Sequence, residues 1–576
     1  MHDFNVWAPR AQTVAIAVNG DYYEMQPAHG GWWKARIEAA VAGADYAFLV
    51  DGEGPFPDPR SACQPRGVHG PSRLIDHSGF RWTDQKWQAK PLASALIYEL
   101  HIGTFTPAGT FESAAERLDY LLDLGVTHVE LMPVNEFPGE WGWGYDGVDV
   151  YAPHHAYGAP AQLKQFVNLC HAKGLAVLLD VVYNHLGPSG NYLSRFGPYF
   201  TPAYATPWGE AINFDRAGSH EVRRFFLDNA AMWLRDYHFD GLRLDAIHAY
   251  HDRSALPFLE QLAAEVEALS AQVGRSLVLI AESDLNDPRV VTCRAAGGSG
   301  IDAQWSDDFH HALHSVLTGE TNGYYEDFGS LAHLATALRQ AYVYTGGYSP
   351  HRDRNHGRPV RGLSGHRFLG YSQNHDQVGN RANGDRLCQL VSAGRQKIAA
   401  ALVLISPFVP MLFQGEEFRA SSPFLYFTQH EDAELGGLVS AGRRSEFVAF
   451  GWHPDNVPDP QDPVNFQRSK LNWAELGREP NRSLLDWYKK LIALRRSTSS
   501  LMDGCLDRLE VHFDEQARWL TIRRGEIEVI CNLAQDRQTI AASQDSTNPI
   551  CSETGWQSHP GAIELPPDSI AILGAA

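Results

Sequence analysis

The run EVRRFFLDNAAMWLRDYHFDGLRLDA, residues 221–246, sets an amphipathic helical stretch directly before a short apolar strand-like run, GLRLDA. Helix-period sequence feeding a strand is the mark of a β/α unit. The same alternation extends in both directions, and eight strand candidates emerge. They are LIYELHIG (96–103), VTHVELMPV (126–134), LAVLLDVVYNH (175–185), GLRLDA (241–246), LVLIAE (277–282), IDAQWS (301–306), FLGYSQNHD (368–376) and VPMLFQG (409–415). Amphipathic segments such as FESAAERLDYLLDLG (111–125) lie between them. Eight units predict an α/β protein with a closed (β/α)8 TIM barrel rather than an open doubly wound sheet.

The flanks read differently. Residues 1 to about 90 carry short alternating runs such as FNVWAP and TVAIAV, with Val14, Ile16 and Val18 on one face, which predicts a small β-sandwich. From about Arg496 onward the pattern is again all-β, and WLTIRRGEIEVICNL (519–533) predicts a hairpin turning at Arg524-Gly525. The expected division is therefore 1–90, 91–495 and 496–576. Long connections at 136–160, 186–219 and 346–365 fall where barrel loops build sites. The segment SPHRDRNHGRPVRGL (349–363) reads either as a solvated loop or as a lid.

Composition removes several function classes. The 576 residues are 44% hydrophobic and 20% charged, ordinary for a folded globular chain. A formal net charge of -20 argues against nucleic acid, whose phosphates demand clustered Lys and Arg. No basic leader with an apolar core opens the chain, and the longest apolar stretch, near Ile398 to Leu412, is broken by Ser406 and two prolines. No membrane anchor is expected. Seven scattered cysteines fit neither a CxxC metal pair nor a disulfide scaffold, so reduced thiols in a cytoplasm are the expectation. No GxGxxG follows a strand and no GxxxxGK[ST] occurs, which removes the main support for dinucleotide and P-loop readings. No protein partner is inferable.

The chemistry lies at strand ends. Asp180 and His185 end the third candidate strand, Asp245 the fourth, Glu282 the fifth and Asp376 the seventh, on the face where barrels place active sites. A lone Asp there is usually a helix cap or turn residue, but four converging strand ends argue for a site. Arg243 precedes Asp245 by two, so both side chains point the same way and the guanidinium favours an ionised Asp245. The bland alternative is a buried Arg243–Asp245 ion pair that needs no other acid. Retaining glycoside cleavage requires a nucleophilic carboxylate and a protonated acid about 5–5.5 Å apart. Adjacent strand ends supply that spacing through Asp245 and Glu282, and an apolar approach with a nearby negative charge should raise the pKa of Glu282.

DVVYNH (180–185), GLRLDAIH (241–248), IAES (280–283) and QNHD (373–376) resemble, in order, the four conserved regions of the α-amylase superfamily of glycoside hydrolases. The resemblance implies Asp245 as nucleophile, Glu282 as acid/base and Asp376 as the third, transition-state-stabilising carboxylate. It implies that Arg243, His185 and His375, with His248, Asn374 and Gln377, hold sugar, and that Tyr145 is the stacking platform. Longer strings, YELHIGTFTPAGTF (98–111), VELMPVNEFPGEWGWGYDGVDVYAPHHAYGAP (129–160), IAESDLNDPRVV (280–291) and QNHDQVGNRA (373–382), resemble the maltooligosyltrehalose trehalohydrolase family within it. That likeness implies hydrolysis of the α-1,4 bond next to the terminal trehalose of maltooligosyl trehalose and related α-glucans. The alternatives are a glycogen branching or debranching enzyme and a non-catalytic α-glucan-binding barrel.

DDFHHALH (307–314) sets His310 and His314 four apart, but HExxH is absent, so no metal is expected. The resemblance makes Asp308, His310 and His311 sugar contacts; a solvent-facing helix start is the alternative for the histidines. Trp141 and Trp143 are divided evenly between loop core and substrate contact. Asn184 lies where many amylases hold calcium, yet no DxDxDG loop occurs and the resembled family implies no obligatory cofactor. Glu416 and Glu417 are expected to be structural or rim residues.

Overall fold

The computed structural model describes residues 1–206, 208–446, 450–542 and 549–574. Its centre is a closed barrel of eight parallel strands: β1 (Ile97–Leu100), β2 (His128–Leu131), β3 (Ala176–Val181), β4 (Gly241–Leu244), β5 (Val278–Ala281), β6 (Ala303–Trp305), β7 (Phe368–Gly370) and β8 (Val409–Phe413). Neighbours follow chain order, and β8 closes onto β1. Each apolar run read from the sequence contains one barrel strand.

Side-chain alternation divides each strand into two faces. The inward set, including Ile97, Leu178, Ile280, Trp305, Leu369, Tyr371 and Met411, forms a core of its own inside the barrel. The outward set joins the larger core shared with surrounding helices such as Pro160–Lys173 and Ser219–Asp236. Burying each such side chain contributes roughly 1.5–3 kcal/mol, so a register slip that exchanged the faces would be prohibitive. Two residues beyond Leu178, Gly241 and Ile280, the inward face carries Asp180, Arg243 and Glu282. Gly241 is required by close approach, since a Cβ there would lie 2.5 Å from the Val278 carbonyl oxygen.

The N-terminal region is two antiparallel sheets, one built on His2–Trp7 and Trp32–Ile37, the other on Val14–Val18 and Asp45–Val50. Val14, Ile16 and Val18 are buried as the alternation requires. The C-terminal region is again strand-rich. Its hairpin pairs Arg524 with Ile527, so the turn is Gly525-Glu526, one residue later than expected, with Gly525 at φ +58°. Arg524 stays in the strand because its buried guanidinium donates to the Ser406 and Leu501 carbonyls, at 2.9 and 3.3 Å. Arg495 donates to the Leu404, Ser406 and Phe408 carbonyls at 2.7–2.9 Å. Together they tie the C-terminal sheet and the last long helix, Asn481–Ser497, to the approach of β8.

The 346–365 segment is an anchored hairpin rather than a free loop. Tyr348–Ser349 pairs with Arg354–Asn355, Arg352 sits 3.6 Å from Asp284 and 3.5 Å from Asp327, and His356 Nε2 donates to the Asp284 carbonyl. All seven cysteines are free thiols. Among the described residues no helix is long and apolar enough to cross a membrane.

Candidate active site

Arg243 organises the barrel mouth. Its guanidinium is wholly buried and lies 2.7 Å from Asp180, 2.9 Å from Asp245 and 2.7 Å from Glu282, with its central carbon 4.2 Å from the Trp305 ring centre. A self-sufficient Arg243–Asp245 pair is therefore not what the fold contains: one cation serves three acids. In the β4–β5 register Leu244 faces Ala281, so Asp245 and Glu282 follow directly at the ends of adjacent strands. Burial pushes Glu282 above the ordinary carboxylate range; Arg243 pulls it back and the Asp245 charge pushes with burial. Asp180, deeper in the barrel, is raised to about 7 by the same burial against the same guanidinium.

Backbone geometry locks the acids in place. Ala246, directly after Asp245, takes the left-handed conformation (φ 41°, ψ 52°), uncommon for a residue with a Cβ. In that conformation its N–H donates to Glu282 Oε2 at 2.8 Å. Asn184 Nδ2 donates to Asp245 Oδ2 at 2.6 Å and to the Asp245 carbonyl at 3.0 Å. Asn184 thus orients a carboxylate and spends its amide there.

Asp376 enters from the short helix His375–Gly379, whose start is capped by Asn374 accepting from Gln377 N. Asn380 Nδ2 donates to Asp376 at 2.5 Å, and burial raises the Asp376 pKa, His375 opposing and the Glu282 charge adding. His375 is held from two sides. Its backbone N–H and Nδ1 meet the two oxygens of Glu99 at 2.9 and 2.5 Å, and Nε2 lies 2.8 Å from the Tyr145 hydroxyl, which donates to Asp180 at 2.5 Å. Burial alone would depress the pKa of His375, but Glu99 raises it; with the Tyr145 proton given to Asp180, the Tyr145 oxygen is left to accept from Nε2.

A cavity of about 520 Å³ opens above these groups. Tyr145, His185, Asp245, His248, Glu282, His375 and Asp376 all line it. So do residues that the sequence reading missed: Asp146, Trp208, Asn380, Tyr426 and Arg443. Trp208 is 48% exposed and stacks flat on His185, ring centres 4.2 Å apart. Burial holds His185 down at about 4, so it faces the cavity as a neutral ring. Trp143 packs the loop core at the cavity wall, lining the cavity while donating to the Leu425 carbonyl and stacking on Phe424. Trp141 stacks on Phe466 in the loop core. A larger groove of about 800 Å³ runs between the N-terminal sheets and the helix Ser219–Asp236, where Arg60 is paired with Asp228. It holds none of the convergent strand-end acids, so the chemistry belongs to the smaller cavity.

Six expected sugar contacts sit outside the cavity lining, Arg243 among them as the wholly buried cation beneath it. Asp308 is buried in the helix Asp307–Thr318 and its Oδ2 accepts from Asn286 and from the backbone N–H groups of Val343 and Tyr344 at 2.6–3.1 Å, which makes it a loop anchor. His310 packs on Tyr371 and sits 3.2 Å from the Tyr325 hydroxyl; His311 packs against Tyr324, Tyr325 and Phe328, so neither faces solvent. Asn374 and Gln377 are buried around the helix cap. Glu416 and Glu417 are not rim residues: both are buried, accepting from Phe413 N and Tyr488 and from Tyr98 and Tyr120 respectively.

A closed (β/α)8 barrel with strand-end carboxylates around a cleft is the architecture of an α-amylase-type glycoside hydrolase, and residues 75–199 match the family model described as the alpha amylase catalytic domain. Malto-oligosyltrehalose trehalohydrolase of Rhizobium sp. (strain M-11) is 49% identical over 579 residues, covering 99% of this chain and 97% of its own length. The protein of the same name from Mycobacterium tuberculosis (strain H37Rv) is 49% identical over 585 residues, covering 100% of both. A solved structure described as a putative alpha amylase from Salmonella typhimurium matches with a TM-score of 0.91 at 36% identity, covering 100% of this chain and 97% of that one. The chain belongs to the malto-oligosyltrehalose trehalohydrolase family.

Proposed function

We propose that this glycoside hydrolase cleaves the α-1,4-glucosidic bond adjoining the terminal trehalose unit of maltooligosyl trehalose, releasing α,α-trehalose and a shortened maltooligosaccharide. The substrate assignment rests on the name carried by full-length relatives at 49% identity. The chemical assignment rests on one observation: a single buried guanidinium contacts both Asp245 and Glu282 at adjacent strand ends, beneath a cavity also lined by Asp376.

In this reading Glu282, whose pKa burial raises, donates its proton to the departing glycosidic oxygen while Asp245, ion-paired to Arg243, attacks the anomeric carbon. Glu282 then takes a proton from water, which opens the glycosyl ester with net retention. Asp376 and neutral His185 hold the ring that carries the developing positive charge, and Tyr145 with Trp208 supply the stacking faces. A reducing cytoplasm suits seven unpaired thiols.

The test is product analysis on maltooligosyl trehalose and on plain maltoheptaose. Free trehalose from the former, strongly preferred over any hydrolysis of the latter, is the expected result. Chain transfer to a sugar hydroxyl without trehalose release assigns a branching reaction instead. Asp245→Asn should nearly abolish turnover while oligosaccharide binding stays measurable.

A further inference from the structure

The loop at 137–148, which delivers Trp143 and Tyr145 to the cavity, is closed at its base by a two-stranded ribbon, Asn135–Glu136 against Asp149–Pro153. Glu136, His154 and His155 meet there, with one ligand-type atom from each within 4.8 Å of the others. His155 Nδ1 is 2.7 Å from Glu136 Oε1, and His154 Nδ1 is 3.4 Å from the same oxygen.

Hydrogen bonding accounts for only part of this cluster. His155 and Glu136 satisfy each other, and His155 N–H also donates to Glu136 Oε2 at 2.8 Å. His154 is wholly buried, and neither of its ring nitrogens has a hydrogen-bond partner. A buried polar group in that state is costly, because it has given up its water without replacing it. Its ring cannot turn to find relief, because it lies flat against Phe137 with centres 3.7 Å apart and meets Tyr157 edge-on. Asp149 is the cross-strand partner of Glu136, and its buried Oδ2 is also unpartnered. The ribbon base therefore gathers two buried carboxylates, one half-buried imidazole and one buried imidazole whose nearest polar atom, Glu136 Oε1 at 3.4 Å, is not in hydrogen-bonding geometry.

We propose that Glu136 Oε1, His154 Nδ1 and His155 Nδ1 bind one zinc ion. Two imidazoles and a carboxylate match the N/O donor preference of that borderline-soft cation. His155, the one partly exposed ligand, gives the ion its entry and leaves a coordination position for water. Glu136 precedes the loop and the two histidines follow it, so the ion staples the loop's ends and stiffens the Trp143–Tyr145 platform from outside the catalytic cavity.

The experiment titrates zinc into metal-stripped full-length protein against a chromophoric chelator, with cobalt absorption as a second readout. Wild type is expected to take up one equivalent with sub-micromolar affinity and to show the visible bands of four-coordinate cobalt. Glu136→Gln and His155→Gln should each weaken uptake at least about 100-fold and lose those bands; because His155 is partly exposed, H155Q keeps the test open if E136Q misfolds. Wild-type affinity weaker than about 10 μM overturns the proposal. So does uptake that survives both variants but disappears in Glu282→Gln, which would place the ion among the catalytic carboxylates.

Discussion

Arg243→Lys keeps the charge at the centre of the site and removes its shape, which makes it the sharpest test of the proposed geometry. The guanidinium spreads its contacts over two terminal nitrogens, reaching Asp180 at 2.7 Å, Asp245 at 2.9 Å and Glu282 at 2.7 Å. An ammonium is one point on a flexible stem and cannot hold three acids in that arrangement. Losing two charge-assisted contacts at roughly 1.5–3 kcal/mol each removes about 3–6 kcal/mol, or a factor of ~10² to 10⁴ in kcat/KM at 1.4 kcal/mol per decade. The pH profile carries a second signature. Burial raises Glu282 and Arg243 lowers it, so weakening the Arg243 contact raises Glu282 further. A general acid must be protonated to work, so the alkaline limb of kcat/KM moves to higher pH in the variant. The assay is trehalose release from maltooligosyl trehalose across the pH range, with near-UV circular dichroism to establish that the variant is folded. A folded variant within about tenfold of wild type and with an unmoved alkaline limb would refute the role assigned to Arg243.

Glu282→Gln is expected to lose ~10² to 10⁴ in rate on maltooligosyl trehalose yet to cleave α-glucosyl fluoride far better, because fluoride leaves without a proton; equal losses on both substrates contradict the acid role. Trp208→Ala removes an exposed stacking face worth about 0.5–1.5 kcal/mol, so KM should rise ~2- to 12-fold with kcat and the melting midpoint unchanged; a fall in kcat alone counts against a stacking role. Glu320 is held down at about 2: burial would raise it, but His314 and Arg381 outweigh burial. Because its folded pKa lies below the ordinary glutamate value of 4.5, its contribution to stability is present above pH 4.5 and is lost as the pH falls toward about 2. Urea midpoints of wild type and Glu320→Gln should therefore converge between those pH values, and a gap that stays constant would show that the Glu320 interactions do not set it.

The eight barrel strands were legible because each is a local object. A short apolar run followed by a helix-period run reports its own burial, and the strand-end acids announce themselves as charges at the end of such a run. Period-2 spacing within GLRLDA also places Arg243 and Asp245 on one face without reference to the rest of the chain. The hairpin at 524–525 was displaced by one residue because Arg524 has partners more than 100 positions away, at Ser406, which no local pattern contains. The reading of Asp308, His310 and His311 as sugar contacts failed to anticipate that the helix Asp307–Thr318 turns them into the protein, where Asp308 anchors Val343 and Tyr344.

What the chain alone determined was the order of strands and the identity of the acids that end them, since backbone alternation and burial act within a few residues. The tertiary structure decided which polar groups share one environment. Glu99 reaches His375 across 276 positions, and Trp208, in the long connection at 186–219, comes to lie on His185. His154, an unremarkable member of HHAYG in the sequence, becomes a buried imidazole without a hydrogen bond, 3.4 Å from Glu136, only in the folded ribbon. The physical reason is common to all three: a polar side chain takes its protonation state and its role from the groups that chain closure sets around it.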